Sequence, residues 1–358
     1  MRAIVLNANK SLALEDRAST KLDEDKCRID LQATGVCSSD ISRSCENGAY
    51  HYPLIMGHEM AGKILQIGGK AEVSYQSGDR VAIFPLLPCF DCEPCHRHMY
   101  AQCLNYNYLG SRSDGGYAEY VDVSPWNLIS VPDGVAMDDA ALTEPTAVVT
   151  HSAELLEITA KSKILIIGAG FLGLLALQIF MIYFPDAEVT ILDRNPHKLE
   201  IAKKLGGAPL LIDGAGDFGW HTKNLDGQFD RVLEATGTTQ GYSSALKMCA
   251  RGGVVVWMGN ISGDLELSRS DVNQILRREL TIKGSWNSTY DGSEPSDWTR
   301  AIELMDNGLK PSGLVSHFIA LEDLPDALIA LYENKLNPSG NSPVKYLVQH
   351  RRWSQGFG

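Results

Sequence analysis

Cys89, Cys92, Cys95 and Cys103 fall at the spacing C-x2-C-x2-C-x7-C within the run PCFDCEPCHRHMYAQC. Four thiolates this close together can converge on one tetrahedral ion, and zinc most often takes an all-sulfur shell of this kind. The two short spacings bring three sulfurs together through tight turns. The longer third spacing loops the chain back with the fourth. Disulfides or an iron–sulfur cluster would use the same residue type, but scattered cysteines rarely recur at such short intervals. A closed four-thiolate shell leaves no open coordination position, so this ion is expected to be structural. The chemistry must lie elsewhere.

The chain has 358 residues, which is long for a single core and implies two domains. Its formal net charge of −12 argues against a nucleic-acid role. The same charge means that an anionic substrate would need a local cationic pocket. MRAIVLN reads as a first strand, with no secretory signal before it. The longest apolar run, Phe171 to Pro185, is shorter than the roughly 18 residues that suggest a membrane span. Zinc-type cysteine spacing in a leaderless chain implies a reducing, cytoplasmic setting.

The first 145 or so residues carry short β-like runs separated by turn signals: Ala3–Leu6, Arg28–Thr34, Gly62–Ile67, Arg80–Phe84 and Ala118–Val123. That pattern predicts an antiparallel, partly barrel-like β domain. Strands at Lys163–Ile167, Glu188–Leu192, Asp230–Glu234 and Val254–Met258 then alternate with helices at Gly173–Tyr183 and Lys198–Leu205. This alternation predicts a doubly wound parallel sheet of α/β class. Helical patterns return at Trp298–Met305 and Pro325–Glu333. The expected organisation is a nucleotide domain over 147–286 inserted into a β-rich domain formed by 1–146 and 287–358. The last eight residues, RRWSQGFG, carry no pattern.

KILIIGAGFLG places Gly168, Gly170 and Gly173 as G-x-G-x-x-G between an apolar strand and a helix. Gly168 suits the tight turn, Gly170 close backbone approach to a pyrophosphate, and Gly173 helix–strand packing. The helix-terminal amides, at Phe171 and Leu172 as well as Gly173, would face the anion. Asp193 lies at the end of the next strand, where an acid accepts from the ribose hydroxyls and disfavours a 2′-phosphate. NAD is therefore the expected cofactor, although the neighbouring Arg194 is a residue type that can hold a 2′-phosphate. Gly237 and Gly259 end two further strands, through close approach to the cofactor or through turn formation. Cys27, Cys45 and Cys249 fit no motif and read as small packed residues.

Three more segments carry metal-ligand residue types: GVCSSD with Cys37, GHE with His58 and Glu59, and LTEP with Glu144. A catalytic zinc takes about three protein ligands and keeps an exchangeable position. Each residue alone is weak evidence; together with the four-cysteine lobe and the glycine fingerprint they form one pattern.

GVCSSD, GHEMAGKILQIG, the four-cysteine lobe, DGGYAEYV, EPTAV and GAGFLG together resemble the zinc-dependent medium-chain dehydrogenase/reductase family over essentially the whole chain. The resemblance implies a GroES-like catalytic domain, a Rossmann domain, NAD, and two zinc ions per subunit, one catalytic and one structural. It implies that Cys37, His58 and an acid hold the catalytic ion, with Glu59 bound directly or through water. The acid at Glu144 marks the sorbitol-dehydrogenase-like polyol branch, because alcohol dehydrogenases usually have cysteine there. NGAYHYPLIMGHE, PLLPCFDCEPC, GSRSDGGYAEY and LRRELTIKGSW resemble the hexitol-phosphate dehydrogenases of that branch, which oxidise C5 of galactitol 1-phosphate to give tagatose 6-phosphate. An unphosphorylated polyol, threonine or another secondary alcohol are the alternative substrates.

The resemblance further implies zinc as Lewis acid for a secondary hydroxyl, with hydride passing to the nicotinamide. Ser39 either starts the proton relay or caps a helix, and His51 or Tyr52 would complete the relay. Asp40 would hydrogen-bond His58 and orient its ring. Arg43 and Arg112, inside the motifs that carry the resemblance, are the candidates to face a substrate phosphate. The family is usually dimeric or tetrameric, so a homo-oligomer is expected; nucleic acid and membrane are not expected partners.

Overall fold

The computed structural model describes residues 1–71, 74–212, 224–337 and 342–350; the patternless 351–358 segment lies outside them. Two compact units form, one from residues 1–145, 289–337 and 345–350, the other from 146–288 and 342–344.

The first unit is built around the long strand Cys27–Val36, buried along nearly its whole length. Glu59–Ile67 pairs antiparallel with it, Gly35 opposite Glu59 and Leu31 opposite Gly62. A Cβ on Gly62 would come 2.1 Å from the Asp30 carbonyl oxygen, so this close crossing requires glycine. Arg80–Ile83 and Leu128–Ser130 extend the sheet beyond Glu59–Ile67. On the other side, Tyr346–Gln349 pairs antiparallel with Cys27–Val36, Val36 facing Tyr346. His317–Ile319 then adds parallel to Tyr346–Gln349, and Tyr120–Val123 pairs with the start of Cys27–Val36. A three-stranded sheet of Ser11–Asp16, Arg2–Ala8 and Leu54–Ile55 and a two-stranded pairing of Leu86–Leu87 with Asn107–Tyr108 lie in the same unit. Helices Asp297–Asp306 and Leu324–Leu336 occupy the regions where the sequence shows helical periodicity.

The second unit is a six-stranded, fully parallel sheet. Its spatial order is Ala208–Leu211, Glu188–Asp193, Lys163–Ile167, Phe229–Glu234, Cys249–Trp257, Thr281–Gly284. The first strand in sequence lies centrally, and the order reverses beside it, which is the doubly wound dinucleotide-binding topology. Ile164 to Ile167 are wholly buried, as a strand covered on both faces must be. The apolar run after it forms helix Phe171–Tyr183, whose residues from Gly173 to Leu177 are buried. Among the described residues no helix is long and apolar enough to cross a membrane. The helix expected from Lys198 begins earlier, at Pro196: Asn195 caps it, accepting from the His197 and Lys198 amides, with proline in the first turn.

Candidate metal centres and active site

In the first unit, Cys89, Cys92, Cys95 and Cys103 are free thiols whose sulfurs face one another. The Cys92–Cys95, Cys103–Cys89, Cys92–Cys103 and Cys89–Cys95 separations are 3.4, 3.5, 3.8 and 4.0 Å. A tetrahedron with zinc–sulfur bonds of about 2.3 Å has edges of about 3.8 Å, whereas a disulfide needs about 2.05 Å. The lobe therefore fits a tetrahedral zinc. The Asp91 amide, with Cys103 and Cys92, holds the Cys89 thiol down to about 6, while burial and neighbouring thiols push Cys95 up to about 12. Thiolates packed this closely need a shared cation between them. Phe90 and Tyr100, both on this lobe, pack edge-on against Trp126, ring centroids 5.2 and 5.6 Å away.

The catalytic candidates meet where three chain segments converge. Cys37 directly follows strand Cys27–Val36 and precedes helix Ser38–Cys45; His58 directly precedes strand Glu59–Ile67. Antiparallel pairing of Gly35 with Glu59 therefore brings them together, with ligand atoms of Cys37, His58 and Glu59 within 4.8 Å of one another. Gly35 is required for this: a Cβ there would lie 1.9 Å from Glu59 Oε2. The Tyr346–Val36 pairing delivers Lys345 to the same end, and its Nζ lies 2.6 Å from the Glu59 carboxylate. Sequence reasoning missed Lys345, because only long-range strand register brings it here. Glu144 stands in the first turn of helix Thr143–Leu156 and accepts from the Tyr108 hydroxyl at 3.2 Å. The Tyr108 ring meets the His58 imidazole edge-on at 5.9 Å.

Asp40 is wholly buried, with Oδ1 3.4 Å from His58 Nδ1. It also accepts from the Arg43 guanidinium at 3.2 Å, the Cys37 amide at 3.1 Å and the Tyr117 hydroxyl at 2.8 Å. Burial opposes ionisation of Asp40, but His58 and then Arg43 and Tyr117 hold it below the usual carboxylate range. Burial likewise opposes a charged His58, yet Asp40 and Cys37 hold the ring well above its ordinary value. Burial pushes Glu144 up to about 7, with Glu59 adding to it and His58 and Lys345 opposing. The cluster thus brings together a thiol, an imidazole and the Glu59 carboxylate, with Asp40 against the imidazole. This donor set fits a divalent zinc held by Cys37, His58 and a carboxylate.

Ser39 lies in the first turn of helix Ser38–Cys45, but the N-cap is Cys37, so Ser39 does not cap it. His51 is exposed, its Nε2 3.0 Å from the Arg112 carbonyl, and the Tyr52 hydroxyl accepts from the Ala49 amide at 3.1 Å. Arg43 is engaged by Asp40. Arg112 instead lies between two tyrosines, its guanidinium carbon 4.2 Å from the Tyr106 ring centroid and 4.6 Å from that of Tyr50. No carboxylate among the described residues pairs with it.

In the second unit Gly168 has φ +107°, and a Cβ on Gly173 would lie 1.9 Å from the Gly168 carbonyl oxygen. At Gly170 a Cβ would meet nothing within 4 Å, so its α-carbon faces open space. Gly170 is also the N-cap of helix Phe171–Tyr183, and no side chain caps that terminus. A glycine not explained by packing, at a helix N-terminus, fits a bound pyrophosphate. Asp193 ends its strand and accepts the Ala169 amide at 2.6 Å and the Asn195 amide at 2.8 Å, which ties the glycine turn to the neighbouring strand. Its oxygens retain further lone pairs for ribose hydroxyls. Arg194 is exposed beside it. Gly237 and Gly259 pack turn against turn: a Cβ on Gly259 would lie 2.2 Å from the Gly237 nitrogen. Cys27, Cys45 and Cys249 are all buried.

A doubly wound dinucleotide unit, a β-rich unit with one four-thiolate lobe and a cysteine–histidine–carboxylate cluster together define a zinc-dependent, NAD-dependent dehydrogenase. Family models for the alcohol dehydrogenase GroES-like domain and the zinc-binding dehydrogenase match residues 23–133 and 172–307. The chain is 32% identical over 316 residues to galactitol 1-phosphate 5-dehydrogenase of Escherichia coli (strain K12), covering 87% of this chain and 91% of that one. The crystal structure of galactitol-1-phosphate dehydrogenase from Escherichia coli superposes with a TM-score of 0.87 at 30% identity, covering 98% of this chain and 100% of that one. An Escherichia coli CFT073 alcohol dehydrogenase complexed with NADH gives a TM-score of 0.84 at 25% identity over 98% of this chain and 99% of that one. The chain belongs to the zinc-dependent medium-chain dehydrogenase/reductase family. It is a zinc-containing, NAD-dependent alcohol or polyol dehydrogenase.

Proposed function

We propose that this enzyme oxidises a secondary hydroxyl of a polyol phosphate with NAD, specifically galactitol 1-phosphate to tagatose 6-phosphate. The gathering of Cys37, His58 and Glu59 around one point carries the dehydrogenase reading. We assign the catalytic zinc to Cys37 and His58 with Glu59 or Glu144, and the structural zinc to Cys89, Cys92, Cys95 and Cys103. We assign the catalytic domain to 1–146 and 287–358 and the NAD domain to 147–286.

Bound there, zinc supplies a Lewis acid that lowers the pKa of the substrate hydroxyl, and NAD supplies the hydride acceptor. Asp40 holds the His58 ring and raises its basicity. Lys345 holds the buried Glu59 carboxylate in place. Ser39, in the first helical turn beside Cys37, accepts the hydroxyl proton as its own proton passes to His51 or Tyr52, which relays it outward. Gly168, Gly170, Phe171, Leu172 and Gly173 cradle the cofactor pyrophosphate, and Asp193 takes the adenosine ribose, with Arg194 at its edge.

The phosphate reading is supported by Arg112. The protein carries a net charge of −12, so an anionic substrate needs a local cation. Arg112 is held by tyrosine rings rather than by an acid, which leaves its charge for a ligand. Arg43 suits that role less well, because Asp40 already neutralises it. We also propose a homodimer or homotetramer, which light scattering would establish.

The test is NAD reduction by the zinc-loaded enzyme with galactitol 1-phosphate and galactitol side by side. A kcat/KM at least about a hundredfold higher for the ester, worth about 3 kcal/mol, is expected. Equal values, or turnover of the free polyol alone, would refute the phosphate assignment.

A further inference from the structure

We propose that Tyr117 is the positioning residue for the metal-binding histidine, fixing the His58 ring through its hydroxyl on Asp40 and its own ring against Gly57. The inference rests on the assignment of Cys37 and His58 to the catalytic zinc.

Tyr117 is wholly buried, and its hydroxyl donates to Asp40 Oδ2 at 2.8 Å. The same carboxylate, through Oδ1, lies 3.4 Å from His58 Nδ1. A buried carboxylate needs its lone pairs filled, and the surrounding partners leave it one orientation. The donors are the backbone amide of the N-cap Cys37 and the guanidinium of Arg43, both of the helix that carries Asp40, and the Tyr117 phenol, which comes from a distant segment. Burial and then Asp40 hold the Tyr117 hydroxyl well above its ordinary range, so it stays a donor.

The ring does a second job. Gly57, the residue before His58, has φ +91°, and a Cβ there would lie 2.8 Å from Tyr117 Cδ1. The main chain locks the same contact, because the Tyr117 amide donates to the Met56 carbonyl at 2.9 Å and the Gly116 amide to the Gly57 carbonyl at 2.8 Å. Glycines are required along this seam: a Cβ on Gly110 or Gly115 would come 2.3 or 2.2 Å from the Gly57 carbonyl oxygen. One side chain therefore braces both the backbone that presents His58 and the acid that orients its imidazole. Direct partners of a metal-binding histidine, the place Asp40 holds here, affect metal affinity about 10- to 100-fold, which sets the scale for a residue acting through Asp40.

The full-length zinc enzyme and its Tyr117→Phe variant, which keeps the ring, would be compared by zinc release to a chromogenic chelator. The four-cysteine ion serves as the internal control. The proposal predicts that Tyr117→Phe weakens retention of one ion about 10- to 100-fold, leaves the other unchanged, and shifts the visible bands of the cobalt-substituted catalytic site. A double-mutant cycle with Asp40→Asn gives a second route, in which the two changes are expected to be strongly non-additive. Unchanged release and an unchanged cobalt spectrum would overturn the role of Tyr117, as would full additivity with Asp40→Asn. A Cys37→Ser variant that keeps both ions would instead overturn the underlying site assignment.

Discussion

The ammonium of Lys345 lies 2.6 Å from the Glu59 carboxylate, and the two side chains are 5% and 2% exposed. Burying either charge alone is expensive, so the pair must be kept whole. Lys345→Met is expected to destabilise the metal-free protein by about 3–5 kcal/mol, read as a fall in the urea midpoint. Saturating zinc should shrink the loss, because the ion gives Glu59 another cation. An unchanged midpoint without metal would contradict the pairing.

Removing one sulfur from the four-cysteine lobe should be felt at Trp126, against which Phe90 and Tyr100 pack. Cys92→Ser is expected to lose one zinc equivalent and to shift tryptophan emission. A variant that keeps its metal complement and its spectrum would show that the lobe is not a zinc site.

Asp193 anchors the glycine turn through the Ala169 amide, and in the proposed function it also takes the cofactor ribose. Asp193→Ala should lower kcat/KM for NAD by about tenfold to a hundredfold, the scale of losing hydrogen bonds to a charged group. The effect on NADP should be smaller, since a repulsive charge is removed at the same time. Equal losses for both cofactors would leave Asp193 with only its structural role.

Arg112→Met should lower kcat/KM for galactitol 1-phosphate by about a hundredfold while changing that for galactitol little. Arg43→Met should fail to discriminate, because Asp40 occupies its guanidinium. Parallel losses with both substrates on replacing Arg112 would remove it from phosphate recognition.

His350 lies 3.0 Å, through Nε2, from the Thr34 hydroxyl, and burial lowers its pKa to about 4. Above about 6.5 folded and unfolded chains both hold it neutral. Between 6.5 and 4 the unfolded chain takes up a proton that the folded one resists, so stability falls as pH falls through this window. His350→Gln should flatten that part of the stability profile. Identical acid limbs would show that the folded chain does not hold the half-buried His350 neutral.

The second unit was largely legible in sequence, because its information is local: an apolar strand, three spaced glycines and an acid at the next strand end. Gly168, Gly173 and Asp193 follow from that pattern. The four-cysteine lobe was legible for the same reason. Of the candidate active site, the sequence showed the residues proposed as ligands, of which Cys37, His58 and Glu59 come together. Lys345 and Tyr117 reach it through the Val36–Tyr346 pairing and the packing of 115–117 on 55–57, and neither register is written locally. Arg43 is a case where a local signal existed: Asp40 and Arg43 are spaced i, i+3 on one helix, which already predicts their ion pair. The start of helix Pro196–Lys204 was likewise encoded in Asn195-Pro196, as a cap followed by a first-turn proline.

The most direct test of the whole account is metal content and NAD-linked turnover measured together on the wild type and Cys37→Ser. Two zinc equivalents in the wild type, one in Cys37→Ser, and loss of turnover with the fold retained are the expected results. A Cys37→Ser enzyme that keeps two zinc equivalents and turns over normally would contradict the placement of the catalytic ion at Cys37 and His58.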